Sequence, residues 1–369
     1  MPTHTPRSIA SLALVSIAVL LAAGCGGPTK AGKEARVAAQ DRMHRATSVI
    51  AFDQARQSFE SGQFEKALRE VDEAIYRTPD DPRYWVLRGR ISLERGRLEQ
   101  ALTDFAKASE VKPDFAEAHY YQGIVHERWS QPDNAVAAYR KAAECDATKV
   151  AYVLAAAEVL VTTERYEEAK EELEPKLAYF ENNAPMHQLL GQVAMLREEP
   201  KEAALHFNRA LLIDPKLPMI LENLSRAQYE SQQWNVCLET VRRMQRELPG
   251  GRTLELMRTE GRCLAMIGRS ADARIVFSEI TREHPEDAEA WIDLAAVAWE
   301  LDDLGRVRTC GDRLLRVAPD RYEGYVFLGL IEERNGNAEG AKVWFQKASK
   351  VAADSGQEPE LLMSLAGDD

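Results

Sequence analysis

Apolar side chains in this chain recur three and four residues apart, the spacing of one face of a helix. One stretch reads Trp85 and Gly89, then Leu98, Ala101, Phe105 and Ala108; others repeat it with Leu190, Gly191 and Ala194, then Ala203, Phe207 and Ala210, and with Tyr325, Leu328 and Gly329, then Ala341, Phe345 and Ala348. Each stretch predicts two amphipathic helices joined by a short polar turn. Gly62, Gly96, Gly268 and Gly336 fall at those turns, where a left-handed backbone is easiest for glycine. The spacing has a longer period as well: Pro79 and Pro113, Pro215 and Pro249, and Pro285 and Pro319 are each 34 residues apart. These prolines close the second helix of a pair, because proline cannot continue a helix and restricts the residue before it.

Two small residues, twelve apart, mark each period: Ala55/Ala67, Gly89/Ala101, Gly123/Ala135, Ala157/Ala169, Gly191/Ala203, Ser225/Cys237, Gly261/Ala273, Ala295/Val307 and Gly329/Ala341. Small side chains let helix axes approach closely, so each period predicts a tight helical hairpin. The pattern resembles the tetratricopeptide repeat (TPR). On that resemblance the fold is all-α, a right-handed superhelical α-solenoid of about nine hairpins in which each unit leans on its neighbours. The units read as 48–251 for the first six and 254–355 for the last three, with Arg252 and Thr253 inserted between them as a place for a change of curvature or a hinge. Val307, larger than the usual alanine, predicts a looser eighth hairpin. His119 and His187 stand where other units have Trp85 and Trp291.

The N-terminus has a different character. Ile9 to Ala23 is an uncharged apolar run after Arg7, too short as a helix for a hydrocarbon core about 30 Å thick. A cleaved export signal fits it. Leu21-Ala22-Ala23-Gly24-Cys25 resembles the lipobox of bacterial lipoprotein precursors, which implies a signal peptide over 1–24, lipidation of Cys25 and a tether over 25–47. Lys33 to Ala46, rich in Ala and Arg, can begin a helix. Gly26 after the cysteine implies, by that family's sorting tendency, the outer membrane, with the protein facing the periplasm. An uncleaved anchor helix from Ile9 to about Gly27 and a cytoplasmic protein with a fortuitous apolar start are the alternatives. At the other end, residues 356–369 hold Leu361, Leu362 and Leu365 and read as a tail or partial cap. An incompletely capped end leaves a surface on which a second copy can pair as a homodimer.

Composition narrows the function. The chain has 369 residues, 45% hydrophobic and 29% charged, which excludes a mostly disordered protein. Its 59 acidic against 47 basic residues, a net charge of -12, argue against a nucleic-acid-binding surface. No HExxH, GxSxG, P-loop or GxGxxG is present, and Gly336, Gly340 and Lys342 have the wrong spacing for a phosphate loop. His119 and His126 lie about 10 Å apart along one helix face, too far to share a metal, and read as core histidines. Cys145, Cys237, Cys263 and Cys310 form no CxxC; Cys237 reads as a buried thiol, with a Cys237–Cys263 bridge as the alternative. No catalytic residue, metal site or cofactor is expected.

What remains is binding. TPR proteins use the wall formed by the first helix of each unit, and the resemblance places there Phe52, Arg56 and Phe59; Val86, Arg90 and Leu93; Tyr120 and Ile124; Leu154; Gln192; Arg226 and Tyr229; Arg258 and Arg262; and Trp299. Arginine recurs at the ninth position as Arg56, Arg90, Arg226 and Arg262, where guanidinium groups can grip carboxylates of an extended segment. Pairing with local glutamates such as Glu60, Glu94 or Glu230 is the competing reading. Phe52 and Val86 stand where chaperone-binding members carry a clamp lysine, so a C-terminal carboxylate clamp is not expected. The functional expectation is a non-catalytic scaffold that holds a segment of another envelope protein. A self-assembling structural solenoid is the second reading, and an enzyme a distant third.

Overall fold

The computed structural model describes residues 29–215 and 218–356; the expected signal segment, Cys25 with its expected lipidation, and the leucines of the C-terminal tail lie outside the described residues. Among the described residues there are eighteen helices and no strand. The chain divides into two compact units, residues 1–159 and 160–369.

The first unit holds α1 (Lys30–Glu60), α2 (Phe64–Arg77), α3 (Pro82–Glu94), α4 (Leu98–Val111), α5 (Ala116–Arg128) and α6 (Pro132–Cys145); α7 (Val150–Thr162) carries the division. Successive helices pack as the antiparallel pairs α1/α2, α3/α4 and α5/α6. Helix α1 begins at Lys30, inside the stretch expected to be a tether, with the Thr29 hydroxyl accepting from the Gly32 amide. Its buried residues, Ser48, Ala51, Ala55 and Ser58, start where the first 34-residue unit starts. Good helix formers carry the same helix backwards into solvent.

The second unit continues with α8 (Tyr166–Leu177), α9 (Ala184–Leu196), α10 (Pro200–Ile213), α11 (Pro218–Glu230), α12 (Trp234–Glu247), α13 (Leu254–Met266), α14 (Ser270–Glu283), α15 (Ala288–Glu300), α16 (Leu304–Val317), α17 (Glu323–Arg334) and α18 (Ala338–Ser355). One apolar core joins Cys237, Leu238 and Val241 of α12 to Met257 and Leu264 of α13 and continues to Ala348 and Ala352 of α18. That core runs across the Arg252-Thr253 insertion. The eighth hairpin is filled: Val307 and Ala295 are fully buried, and one turn on from Val307 the missing side chain of Gly311 admits Leu328, whose Cγ would lie 3.0 Å from an added Cβ.

Three devices repeat. The first is close packing of a glycine on a ring: Cβ atoms added at Gly89, Gly191 and Gly261 would lie 2.5–2.6 Å from Phe105, Phe207 and Phe277. The second is a left-handed turn residue between paired helices. Gly62, Gly96, Gly268 and Gly336 take it, and so do Ser130, Glu164, Glu198, Gln232 and Asp302 at φ between 55° and 61°. The third ties one pair to the next. The Trp85 indole N–H donates to the Pro79 carbonyl at 2.8 Å, and the Trp291 indole to that of Pro285 at 2.8 Å.

Candidate functional site

The first-helix faces of the first unit gather aromatic rings around arginine. Phe52 packs on Tyr84 with centroids 4.9 Å apart, and Phe59 on Phe64 at 5.9 Å. The Arg90 guanidinium sits over the Phe59 ring at 4.9 Å and over Tyr121 at 5.3 Å. It has no carboxylate partner among the described residues, so its charge is held by π faces. Tyr120 continues the aromatic patch, 5.5 Å from Tyr139 and 5.1 Å from Tyr152. Burial pushes the Tyr152 phenol up to about 12 and raises those of Tyr120 and Tyr121, so all three stay neutral hydrogen-bonding groups. Ile124 and Leu154 are half-buried.

Two expected wall residues are not on the surface. Val86 and Leu93 are 3% and 4% exposed and pack in one core with Val125 of α5. Helix α5 packs on α3 and covers the face that carries them. Arg56 is exposed and pairs at 3.4 Å with the equally exposed Asp53, a contact worth only about 0.3–0.5 kcal/mol.

In the second unit the arginines divide. Arg226 is exposed and has no ion pair among the described residues, while Gln192 and Tyr229 are half-buried, Tyr229 edge-on to Trp234 at 4.9 Å. Arg258 and Arg262 are not free to clamp a partner. Arg258 pairs with Asp287, and Arg262 bridges Asp293 at 3.0 Å and Glu289 at 3.0 Å. Glu289 is also bound by Arg321, which binds Glu323 in turn. This ladder joins α13 to α15 and α17. Burial raises the Asp293 carboxyl against the pull of Arg262, whereas Arg321 and Arg262 together hold Glu289 low despite its burial. The partners come from the following units, not from Glu60, Glu94 or Glu230. Trp299 is half-buried under the Arg334 guanidinium at 5.9 Å.

Other polar residues prove structural. Asp104 is fully buried, with one oxygen taking Arg88 Nη2 at 2.6 Å and Gln100 at 3.1 Å and the other unpaired. His119 and His126 are half-buried and do not fill a hairpin core. His119 Nε2 lies 2.8 Å from the Pro113 carbonyl, the bond that tryptophan makes elsewhere, and His126 Nδ1 lies 2.9 Å from Gln131 Oε1. His187 Nε2 reaches the Glu181 carbonyl at 3.0 Å, and its Nδ1 meets Nδ1 of His206 at 3.1 Å. Cys237, Cys263 and Cys310 are buried free thiols, and Cys237 donates to the Ser225 carbonyl at 3.3 Å. The neighbouring Cys263 thiol, together with burial, pushes the Cys237 thiol up. Among the described residues no three His, Cys, Asp or Glu side chains are placed to hold a metal, and no helix is long and apolar enough to cross a membrane.

Comparison with known proteins agrees with this architecture. Family models described as TPR repeat and tetratricopeptide repeat match residues 89–128 and 154–218, so the chain contains tetratricopeptide repeats. The type IV pilus assembly protein PilF of Pseudomonas aeruginosa is 26% identical over 38% of this chain and 57% of that protein. Anaphase-promoting complex subunit 3 of Schizosaccharomyces pombe is 26% identical over 43% of this chain and 24% of that protein. The chain thus spans little more than half the length of the first relative and a quarter of the second. The crystal structure of PilW, a type IV pilus biogenesis factor, is 20% identical over 55% of this chain and 94% of that one, with a TM-score of 0.46.

Proposed function

We propose that this repeat protein is a non-catalytic interaction scaffold, anchored by lipid at Cys25 to the outer membrane on its periplasmic side, that supports assembly of an envelope complex by holding a segment of a partner protein. The observation that carries the reading is the first-unit face where Arg90 lies between Phe59 and Tyr121 beside Tyr120. A guanidinium without a carboxylate partner, set among rings, offers charge and apolar area at one spot, the combination that dominates binding energy at protein interfaces. The similarity to a pilus assembly protein supports an assembly role.

The test compares partner capture from detergent-solubilised envelopes by the full chain and by Arg90→Glu and Arg226→Glu variants. The reading expects one common partner to be lost with Arg90→Glu. Unchanged capture by both variants, with altered oligomer size, would favour a self-assembling solenoid instead. Cys25→Ala should release the protein from membranes, and unchanged mass and membrane association would remove the anchor from the proposal.

A further inference from the structure

A second surface, lined mainly by the second helices of two successive pairs, has an unusual charge. Helices α14, α15 and α16 enclose an open cleft of about 420 Å³ floored by Trp291. Arg282, Arg306 and Arg313 line it and no Asp or Glu does, in a chain with 59 acidic and 47 basic residues. Arg306 shares Asp303 at 3.1 Å and reaches the Ser278 hydroxyl at 3.4 Å. Among the described residues Arg282 has only the exposed Glu283, at 3.4 Å. Arg313 lies 5.9 Å from the Trp291 centroid and has no carboxylate partner among the described residues.

The same groove in the second repeat shows what is missing. There Trp85 stands for Trp291 in a cleft of about 460 Å³, Asp104 binds Arg88, and Glu110 binds Lys107 at 2.7 Å. Its charges cancel internally. At the matching positions around Trp291, Cys310 replaces Asp104, Arg316 replaces Glu110 and Leu294 replaces Arg88. The internal acids are gone while the cationic rim remains.

We infer that the Trp291 cleft receives carboxylate side chains of an acidic peptide segment. Guanidinium groups pair carboxylates bidentately, and the indole offers apolar surface to glutamate methylenes. A site for a small metabolite would enclose most of its ligand, whereas this cleft is open along the helices. The inference is independent of the Arg90 face and can fail without it.

The test uses the full chain in detergent at low salt and fluorescein-labelled hexaglutamate, with hexaglutamine and inorganic phosphate as controls, read by fluorescence anisotropy. Hexaglutamate should bind saturably, hexaglutamine should not, and Arg282→Glu/Arg313→Glu should weaken binding by at least about tenfold. Arg313→Gln should lose less, and Lys107→Glu in the second-repeat groove should change nothing. Melting curves of the variants, whose substituted arginines are exposed, confirm folding. Equal binding by the double variant, no saturable binding to wild type, or full displacement by millimolar phosphate would overturn the inference, the last by identifying a small-oxyanion site.

Discussion

Gly123 and Tyr139 occupy one space: a Cβ built on Gly123 would lie 2.4 Å from the edge of the Tyr139 ring, which is 1% exposed. The hydroxyl of that ring donates to Glu127 at 2.8 Å, so the ring is held at its tip as well as along its edge. Gly123→Ala should therefore cost about 1–3 kcal/mol, the range for overpacking a filled core. The denaturation midpoint measures it, and a variant as stable as wild type would show that the ring can yield.

The turn residues invite the opposite change. Glu198 holds φ at 60° without glycine's freedom, and its side chain is exposed. Glu198→Gly should stabilise the protein by about 0.5–1 kcal/mol, since the strain relieved in the native turn outweighs the entropy gained by the unfolded chain. Thermal melts decide it; a lower midpoint refutes the strain argument.

Buried charge makes the third test. Asp104→Ala leaves Arg88 without its main partner, and losing one member of a buried pair costs about 3 kcal/mol. Arg88→Leu/Asp104→Leu should recover most of that loss. A double variant no better than the single one would mean that the groove needs its polar network.

The histidine pair gives a pH dependence. Burial holds His187 and His206 below the ordinary histidine value of 6.5; Arg209 adds to it at His187, and His187 and Lys170 add to it at His206 against the pull of Glu202 and Glu174. The native pair thus stays neutral where the unfolded chain takes up protons. Its stabilisation is complete above about pH 6.5 and declines as the pH falls below that value, until the native imidazoles also protonate. Denaturant midpoints between pH 7.5 and 5.5 should show the decline, and His206→Phe should flatten it. An unaltered slope in that variant would assign the effect elsewhere.

The helical pairs were legible because their signal repeats: a stripe ambiguous in one unit is fixed by the same stripe in the next. The turns at Ser130 and Glu198 escaped because the readable sign of a left-handed residue is glycine, and tertiary packing imposed the turn without it. Phe105 was recognisable as a core residue, but its fit against Gly89 needed the crossing of two helices. The wall was the least legible part. Whether Val86 faces solvent depends on α5, and whether Arg262 is free depends on Asp293 in the next repeat, relations that no local window contains.

One feature of the first unit sets a distance. The stretch of α1 from Lys30 to Thr47 precedes the first packed pair, and at 1.5 Å per residue it is about 27 Å long. A helix of that length works as a ruler where a loose leash would let its load wander. An attachment at residue 29 would therefore set the first repeat at a fixed standoff, and shortening α1 by whole turns would draw the repeats inward in steps of about 5.4 Å.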